Sequence, residues 1–319
     1  MNSLTVFVVA AVLGGVGLVS AVGRGAGSMR EIPEVADVLS PPDAQVENYL
    51  LVGSDSRAGI DPDDPSVGLI GTTDDVSGQR ADTIMVLRRD TGDGSLAIMS
   101  LPRDLWVDIP GWRAERINAA YGRGPDVLVR TVQQSLGVPV HHYLEVDLAG
   151  FRGVVDALGG VELCPTTPVR DRRSGLDLPL SGCQVLDPTQ ALAYVRSRAF
   201  ETFEDGEWRK DPTADLGRTE RQRAFVAALA VAGRERLLAN PFRAGSVLDA
   251  TVASMGAEPG FDPLVAAGRL RAAASGALDS VALPVRGATI DGKSVLQLAE
   301  GARAWLDWFA GIGTRPGPT

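Results

Sequence analysis

The sequence is short of the residues that build many catalytic centres. It has 2 histidines and 2 cysteines in 319 residues. A histidine-rich metal centre is therefore excluded, and the adjacent His141–His142 read as ordinary strand or loop residues. No Ser-His-Asp arrangement is indicated. There is no G-x-x-x-x-G-K-[ST] loop and no glycine-rich dinucleotide fingerprint. No repeat is visible at solenoid periods. Basic excess is missing too: the formal net charge is −9, the opposite of the footprint that general nucleic-acid binding requires. What is present is a chain with 45% hydrophobic residues, ample for a real core.

Residues 1–3 form a short tail before Leu4–Val22, a run of 19 residues without a charge. That length suits a bilayer core, and Gly14, Gly15 and Gly17 are better tolerated in a membrane helix than in a soluble one. The expectation is an N-terminal transmembrane anchor. A cleaved signal peptide competes, because Ser20, Ala21 and Ala26 are small, but the start MNS lacks a basic n-region. Charge bias from Arg24 and Arg30 would put the following side inside. Residues 23–45, glycine-rich early and carrying Pro41-Pro42 late, read as a linker. One folded domain is expected over 46–312, then a disordered tail at 313–319.

Within that domain Asn48–Gly53 reads as a buried strand, followed by a long polar loop at 58–78. The stretch Gly78–Asp104 organises the rest. It holds two strands, Thr83–Leu87 and Leu96–Leu101, joined by a turn at Asp90–Gly94. Antiparallel pairing would bring Arg80 and Asp82 to the same sheet edge as Arg103 and Asp104. Further on, periodicity predicts a short strand at Trp106–Ile109 and helices at Asp126–Leu136 and Leu148–Leu158. It also predicts strands at Tyr143–Val146 and Val161–Cys164. Asp187-Pro188 opens a helix that finishes near Arg196 and Arg198. Phe200–Asp215 reads as irregular, Thr219–Leu238 as a long helix, Ser280–Val285 as a strand and Lys293–Phe309 as an amphipathic helix. This alternation predicts an α/β layered domain. Cys164 and Cys183 bracket a Pro/Gly-rich loop. Outside the cytoplasm they could pair, inside it they would be two small residues, and the anchor favours the disulfide.

Three charge clusters bear on chemistry. Asp55 and Asp82, at the ends of buried strands, could hold Mg²⁺ or simply cap loops. Arg80, Arg103, Arg196 and Arg198 present forks suited to phosphate, although Arg196 and Arg198 also suit a helix terminus. Arg218, Arg221 and Arg223 crowd the start of a helix whose Thr219-x-x-Gln222 fits a capping box. Cations there oppose the helix dipole, which a bound anion or pairing with Asp215, Glu220 or the acidic loop at 201–205 would reconcile. Together the clusters point to phosphoryl chemistry or polyanion binding.

The order of motifs then resembles the LytR–CpsA–Psr family. The motifs are LLVGSDSR at 50–57, RADTIMV at 80–86, SLPRD at 100–104, RINAAYGRG at 116–124, FRGVVDALGGVEL at 151–163, LDPTQALAYVRSR at 186–198 and DLGRTERQR at 215–223. The resemblance covers nearly all of 46–310. It implies an α/β/α layered sandwich around a central mixed β-sheet, with a groove for a polyprenyl chain. It implies a membrane-anchored, extracytoplasmic phosphotransferase, which overrides the charge reading of orientation. The donor would be a glycopolymer on polyprenyl pyrophosphate, the acceptor a peptidoglycan sugar hydroxyl, and the product a phosphodiester. Asp55 and Asp82 would bind Mg²⁺ or Mn²⁺. Arg80, Arg103, Arg196, Arg198, Arg218 and Gln222 would hold the pyrophosphate, with Asp82 or Asp104 as candidate base. Pro188 stands where the family commonly has glycine. A non-catalytic binder of the same lipid-linked polymer, a pyrophosphatase using water, and a transcriptional attenuator are the rival readings. The last is opposed by the anchor and by the lack of a helix-turn-helix signal.

Overall fold

The computed structural model describes residues 29–54, 81–211, 255–270 and 278–317, together with Arg221, Phe225, Ala228 and Ala232. They belong to two compact units. One comprises Arg30–Asp55, Gly78–Glu145 and Gly256–Thr319, and the other is built mainly from Val146–Met255.

The first unit is organised on a mixed sheet of seven strands. Their spatial order is Arg30–Glu31, Gly256–Ala257, His142–Val146, Val46–Ser54, Ala81–Asp90, Leu96–Leu101 and Leu278–Ala282. The pair at each edge is parallel, and the central pairs of Val46–Ser54, Ala81–Asp90 and Leu96–Leu101 are antiparallel. Every residue of Val46–Ser54 is buried, which explains why Tyr49–Val52 is continuously apolar instead of alternating. The central hairpin pairs Ile84 with Leu101 and Arg89 with Leu96. Its turn is closed by Asp90, whose Oδ1 accepts from the Gly92 amide at 2.9 Å.

The helix Pro125–Leu136 turns Leu128, Val129, Val132 and Leu136 into the core and stops at Gly137, whose φ of 73° is left-handed. Ala302–Phe309 buries Ala302, Trp305, Leu306 and Phe309, the i, i+3, i+4, i+7 face of a helix. Both faces join Leu50, Val52, Ile84, Val86 and Met99 in one apolar cluster.

In the second unit, Leu148–Ala157 is capped by the Asp147 side chain accepting from the Gly150 amide. Pro188–Arg196 is capped by Asp187, which accepts from Thr189 and Gln190. Phe151 stacks on Phe225 with centroids 5.6 Å apart. A four-stranded sheet runs in the order Leu176–Leu178, Val169–Asp171, Glu201–Glu204, Glu207–Lys210. Val161–Leu163 pairs with Gln184–Leu186, and the Cys164–Cys183 disulfide ties the neighbouring ends of those strands. Gly160 is needed beside them: at φ +99° a Cβ would lie 2.5 Å from Val185 Cγ1 and 2.9 Å from the Leu186 carbonyl.

Four segments differ from the sequence reading. Arg30–Glu31, read as linker, already pairs with Gly256–Ala257, and Ile32, Val35 and Val38 are in the core. Within Phe200–Asp215, read as irregular, Glu201–Glu204 and Glu207–Lys210 form a hairpin, and residues 212–215 lie outside the described residues. The hairpin's Asp205-Gly206 turn has positive φ at both residues, the geometry that matches strand twist. Lys293–Leu298 is a strand paired with Val285–Ile290, and Asp291-Gly292 makes the same kind of turn, so the last helix begins only at Ala302. Arg315, in the tail read as disordered, pairs with Asp279 at 2.7 Å and lies over the Trp305 ring.

Candidate functional site

Register decides what meets at the sheet edge. Ser54 pairs with Ala81, and Ile84 with Leu101. The end of one strand, the start of the next and the end of the third therefore lie side by side. Ser54 and Ala81 immediately precede Asp55 and Asp82 in the chain. Asp82 is in its strand, but its side chain, Asp55 and Arg80 lie outside the described residues, as do Arg218 and Gln222.

Arg103 and Asp104 follow Leu101 in a tight turn in which the Leu105 amide donates to the Pro102 carbonyl at 2.9 Å. Asp104 accepts from Arg103 Nε on one oxygen at 3.4 Å and from Arg116 Nη1 on the other at 3.3 Å. The backbone of the next segment braces this turn. The Ile117 amide donates to Leu105 at 2.8 Å, and the Asn118 amide to Arg103 at 3.2 Å. Arg116 is a residue that the site assignment from sequence left out. Its signal was present in the R-I-N motif, but only the fold brings it to Asp104.

Behind the edge is buried polar structure. Tyr121 is buried and hydrogen-bonds Ser54. Burial, then the nearby Glu145 charge, pushes the Tyr121 hydroxyl's pKa well up, so it serves as a hydrogen-bonding group and not as an acid. Glu145 in turn accepts from Tyr143 Oη at 2.7 Å and Arg30 Nη2 at 3.2 Å.

In the second unit Arg196 ends its helix, Ser197 is fully buried and Arg198 is exposed. Arg198 makes no ion pair among the described residues. The two arginines flanking Ser197 thus share one short segment, while Arg103 and Asp104 share another in the first unit.

For a metal, two carboxylates following paired backbone positions offer hard oxygen ligands, which suit Mg²⁺ or Mn²⁺ with water and phosphate completing the shell. Among the described residues the one cluster with metal-ligand spacing is Glu162, Cys164 and Cys183, and both of its sulfurs are in the disulfide. The histidines take no part in the edge. His142 lies between Glu258, 2.7 Å from Nδ1, and Glu47, 3.1 Å from Nε2. Glu47 also accepts from Arg89 at 3.3 Å and pairs with Arg269. Burial alone would lower the His142 pKa, but its carboxylate partners outweigh it and raise it to about 9. Burial would raise Glu47, yet His142 and Arg269 bring it down to about 2. Among the described residues no helix is long and apolar enough to cross a membrane. The segment 4–22 lies outside them.

A sequence model described as the LytR_cpsA_psr family matches residues 30–304. The chain is 42% identical over 199 residues to a probable cell wall biosynthesis protein, LcpB of Corynebacterium glutamicum, covering 61% of this chain and 44% of that protein. It is 30% identical over 209 residues to the polyisoprenyl-teichoic acid–peptidoglycan teichoic acid transferase TagU of Oceanobacillus iheyensis, covering 63% and 55% respectively. The chain spans about half the length of the curated relatives it matches. Among solved structures, the LytR-Csp2A-Psr enzyme from Actinomyces oris superposes with a TM-score of 0.62 at 27% identity, over 90% of this chain and 96% of that one.

Proposed function

The chain belongs to the LytR_cpsA_psr family, and from that premise we propose that it is a phosphotransferase of cell-wall assembly. It moves a glycopolymer phosphate from a polyprenyl-pyrophosphate carrier to a peptidoglycan sugar hydroxyl. The reading is supported by the name of the relative that transfers polyisoprenyl-linked teichoic acid to peptidoglycan. The observation that carries it is the braced Arg103–Asp104 turn beside the place where the strand before Asp55 meets the strand that contains Asp82.

The acceptor oxygen attacks the phosphorus bearing the polymer, the P–O bond to the polyprenyl phosphate breaks, and that phosphate leaves. Arg103 holds pyrophosphate oxygens, and so do Arg196 and Arg198, joined by Arg80, Arg218 and Gln222. Guanidinium forks suit this because charge accumulates on phosphate oxygens as the bond breaks. Asp104 accepts from two guanidiniums and thereby aims Arg103. Asp55 and Asp82 would hold Mg²⁺ or Mn²⁺, which when bound neutralises phosphate charge. The acceptor proton passes to a carboxylate at this edge, Asp82 or Asp104. The pH profiles of Asp82→Asn and Asp104→Asn separate the two, since only loss of the base removes the acidic limb. We further propose that Leu4–Val22 anchors the chain with its folded part outside the cytoplasm, a compartment in which the Cys164–Cys183 disulfide persists.

The test is product identity. With labelled lipid-linked donor, peptidoglycan and Mg²⁺, digestion of the wall should release a muropeptide carrying the label through a phosphodiester. Label appearing only as free polymer phosphate would make the protein a pyrophosphatase, and bound but unconverted donor would make it a carrier.

A further inference from the structure

We infer that Asp171 is a positioning residue for the proposed reaction, holding the Arg196–Ser197–Arg198 segment in the shape that presents its guanidiniums to the donor. The inference rests on the reading of those arginines as pyrophosphate ligands.

Asp171 ends the strand Val169–Asp171 and is 1% exposed. An aspartate followed by Arg-Arg-Ser-Gly would ordinarily serve its own turn, and Oδ1 does so. It accepts from the amides of Arg173 at 2.8 Å and Ser174 at 3.4 Å. Oδ2 reaches much further along the chain. It accepts from Ser197 Oγ at 2.7 Å, the Arg198 amide at 3.0 Å and the Ala199 amide at 2.8 Å. Those donors need a partner because the helix stops there: Ser197 has φ −57° and ψ 126°, so the amides after it have left the helical ladder. The carboxylate fixes the extended exit that buries Ser197 and leaves Arg198 exposed.

The acceptor side of the same segment is held by Arg221. Its Nη2 donates to the Ser197 carbonyl at 3.1 Å, its Nη1 to Asp211 at 2.7 Å, and its guanidinium lies over the Phe200 ring. Arg221 is 8% exposed. Among the basic residues crowded at 218–223 it is therefore an internal brace. Burial pushes the Asp171 carboxyl's pKa up, but the converging donors outweigh burial and hold it below the usual carboxylate range. An ionised carboxylate meets all of these donors with acceptor oxygens alone, whereas the acid form would turn an O–H against them. An asparagine would turn an NH₂ group against backbone amides whichever way it faced.

The experiment uses the full chain with lipid-linked donor and peptidoglycan, and compares Asp171→Asn, Ser197→Ala and Arg198→Ala. Amide exchange is followed at Arg198 and Ala199. Asp171→Asn should raise the donor KM about tenfold or more. It should also speed exchange at those amides about tenfold, with the first unit's sheet amides unchanged. Ser197→Ala removes one donor, leaves the carboxylate intact and should give a smaller shift of the same sign in both readouts. If Asp171→Asn does not fold, Ser197→Ala carries the test. Wild-type donor KM and wild-type exchange in the folded variant, alongside an impaired Arg198→Ala, would overturn the inference and leave the proposed function standing. An unimpaired Arg198→Ala would overturn the reading of the arginines themselves, which the exchange data do not depend on.

Discussion

His142 is a residue whose charge is set by its neighbours. Between Glu47 and Glu258 it stays protonated to about pH 9. An unfolded histidine titrates at about 6.5. Its folded pKa is raised, so the stabilisation is complete below the unfolded value and is lost as pH rises through about 9. Stability should therefore fall between neutral pH and pH 10. His142→Gln should lower the unfolding free energy at pH 7 by about 2 kcal/mol and flatten that slope. Denaturant melts of both proteins at pH 7 and pH 10 read this directly, and equal slopes would refute the assignment. Glu47 works in the opposite direction. Its pKa is lowered from 4.5 to about 2, so its share of stability is complete above the unfolded value and is lost as pH falls through about 2. None of this was legible in the adjacent histidines, because Glu47 and Glu258 come from distant stretches and converge only through strand order.

Elements were legible where one signal dominated. Asn48–Gly53 and the hairpin around Asp90–Gly94 read correctly because buried runs flanked a turn. Gly137, Asp187 and Pro188 marked helix ends as their chemistry requires. The two misread hairpins share a cause. In Glu201–Lys210 and Val285–Leu298 an Asp-Gly pair supplied a two-residue turn, but the short strands beside it alternate weakly. Val295 and Leu298 also fit a helical stripe. At this scale the disulfide is the testable feature. It closes a separation of 19 residues, for which loop entropy gives about 3 kcal/mol. A Cys164→Ser, Cys183→Ser double variant should melt lower than wild type, and added dithiothreitol should lower wild type alone. A melting temperature indifferent to both would contradict a stabilising role.

At the scale of the molecule, the motif order disclosed the family, and the strand register explains why. SLPRD, R-A-D and the residues after LLVG lie in separate stretches of the sequence, yet each adjoins the same end of three neighbouring strands inside the sheet. The brace behind Arg196 and Arg198 was hidden, because Asp171 looks like one more loop aspartate until the chain returns at Ser197. The central claim joins Arg103 to phosphoryl transfer, and one measurement tests it most directly. Purified full-length wild type and Arg103→Ala are given labelled polyprenyl-pyrophosphate-linked polymer, peptidoglycan and Mg²⁺, and the rate of label incorporation is followed alongside a thermal melt. The account predicts transfer by wild type and a loss of about 10²–10³-fold in the variant at a nearly unchanged melting temperature. A folded Arg103→Ala that transfers at the wild-type rate would contradict it.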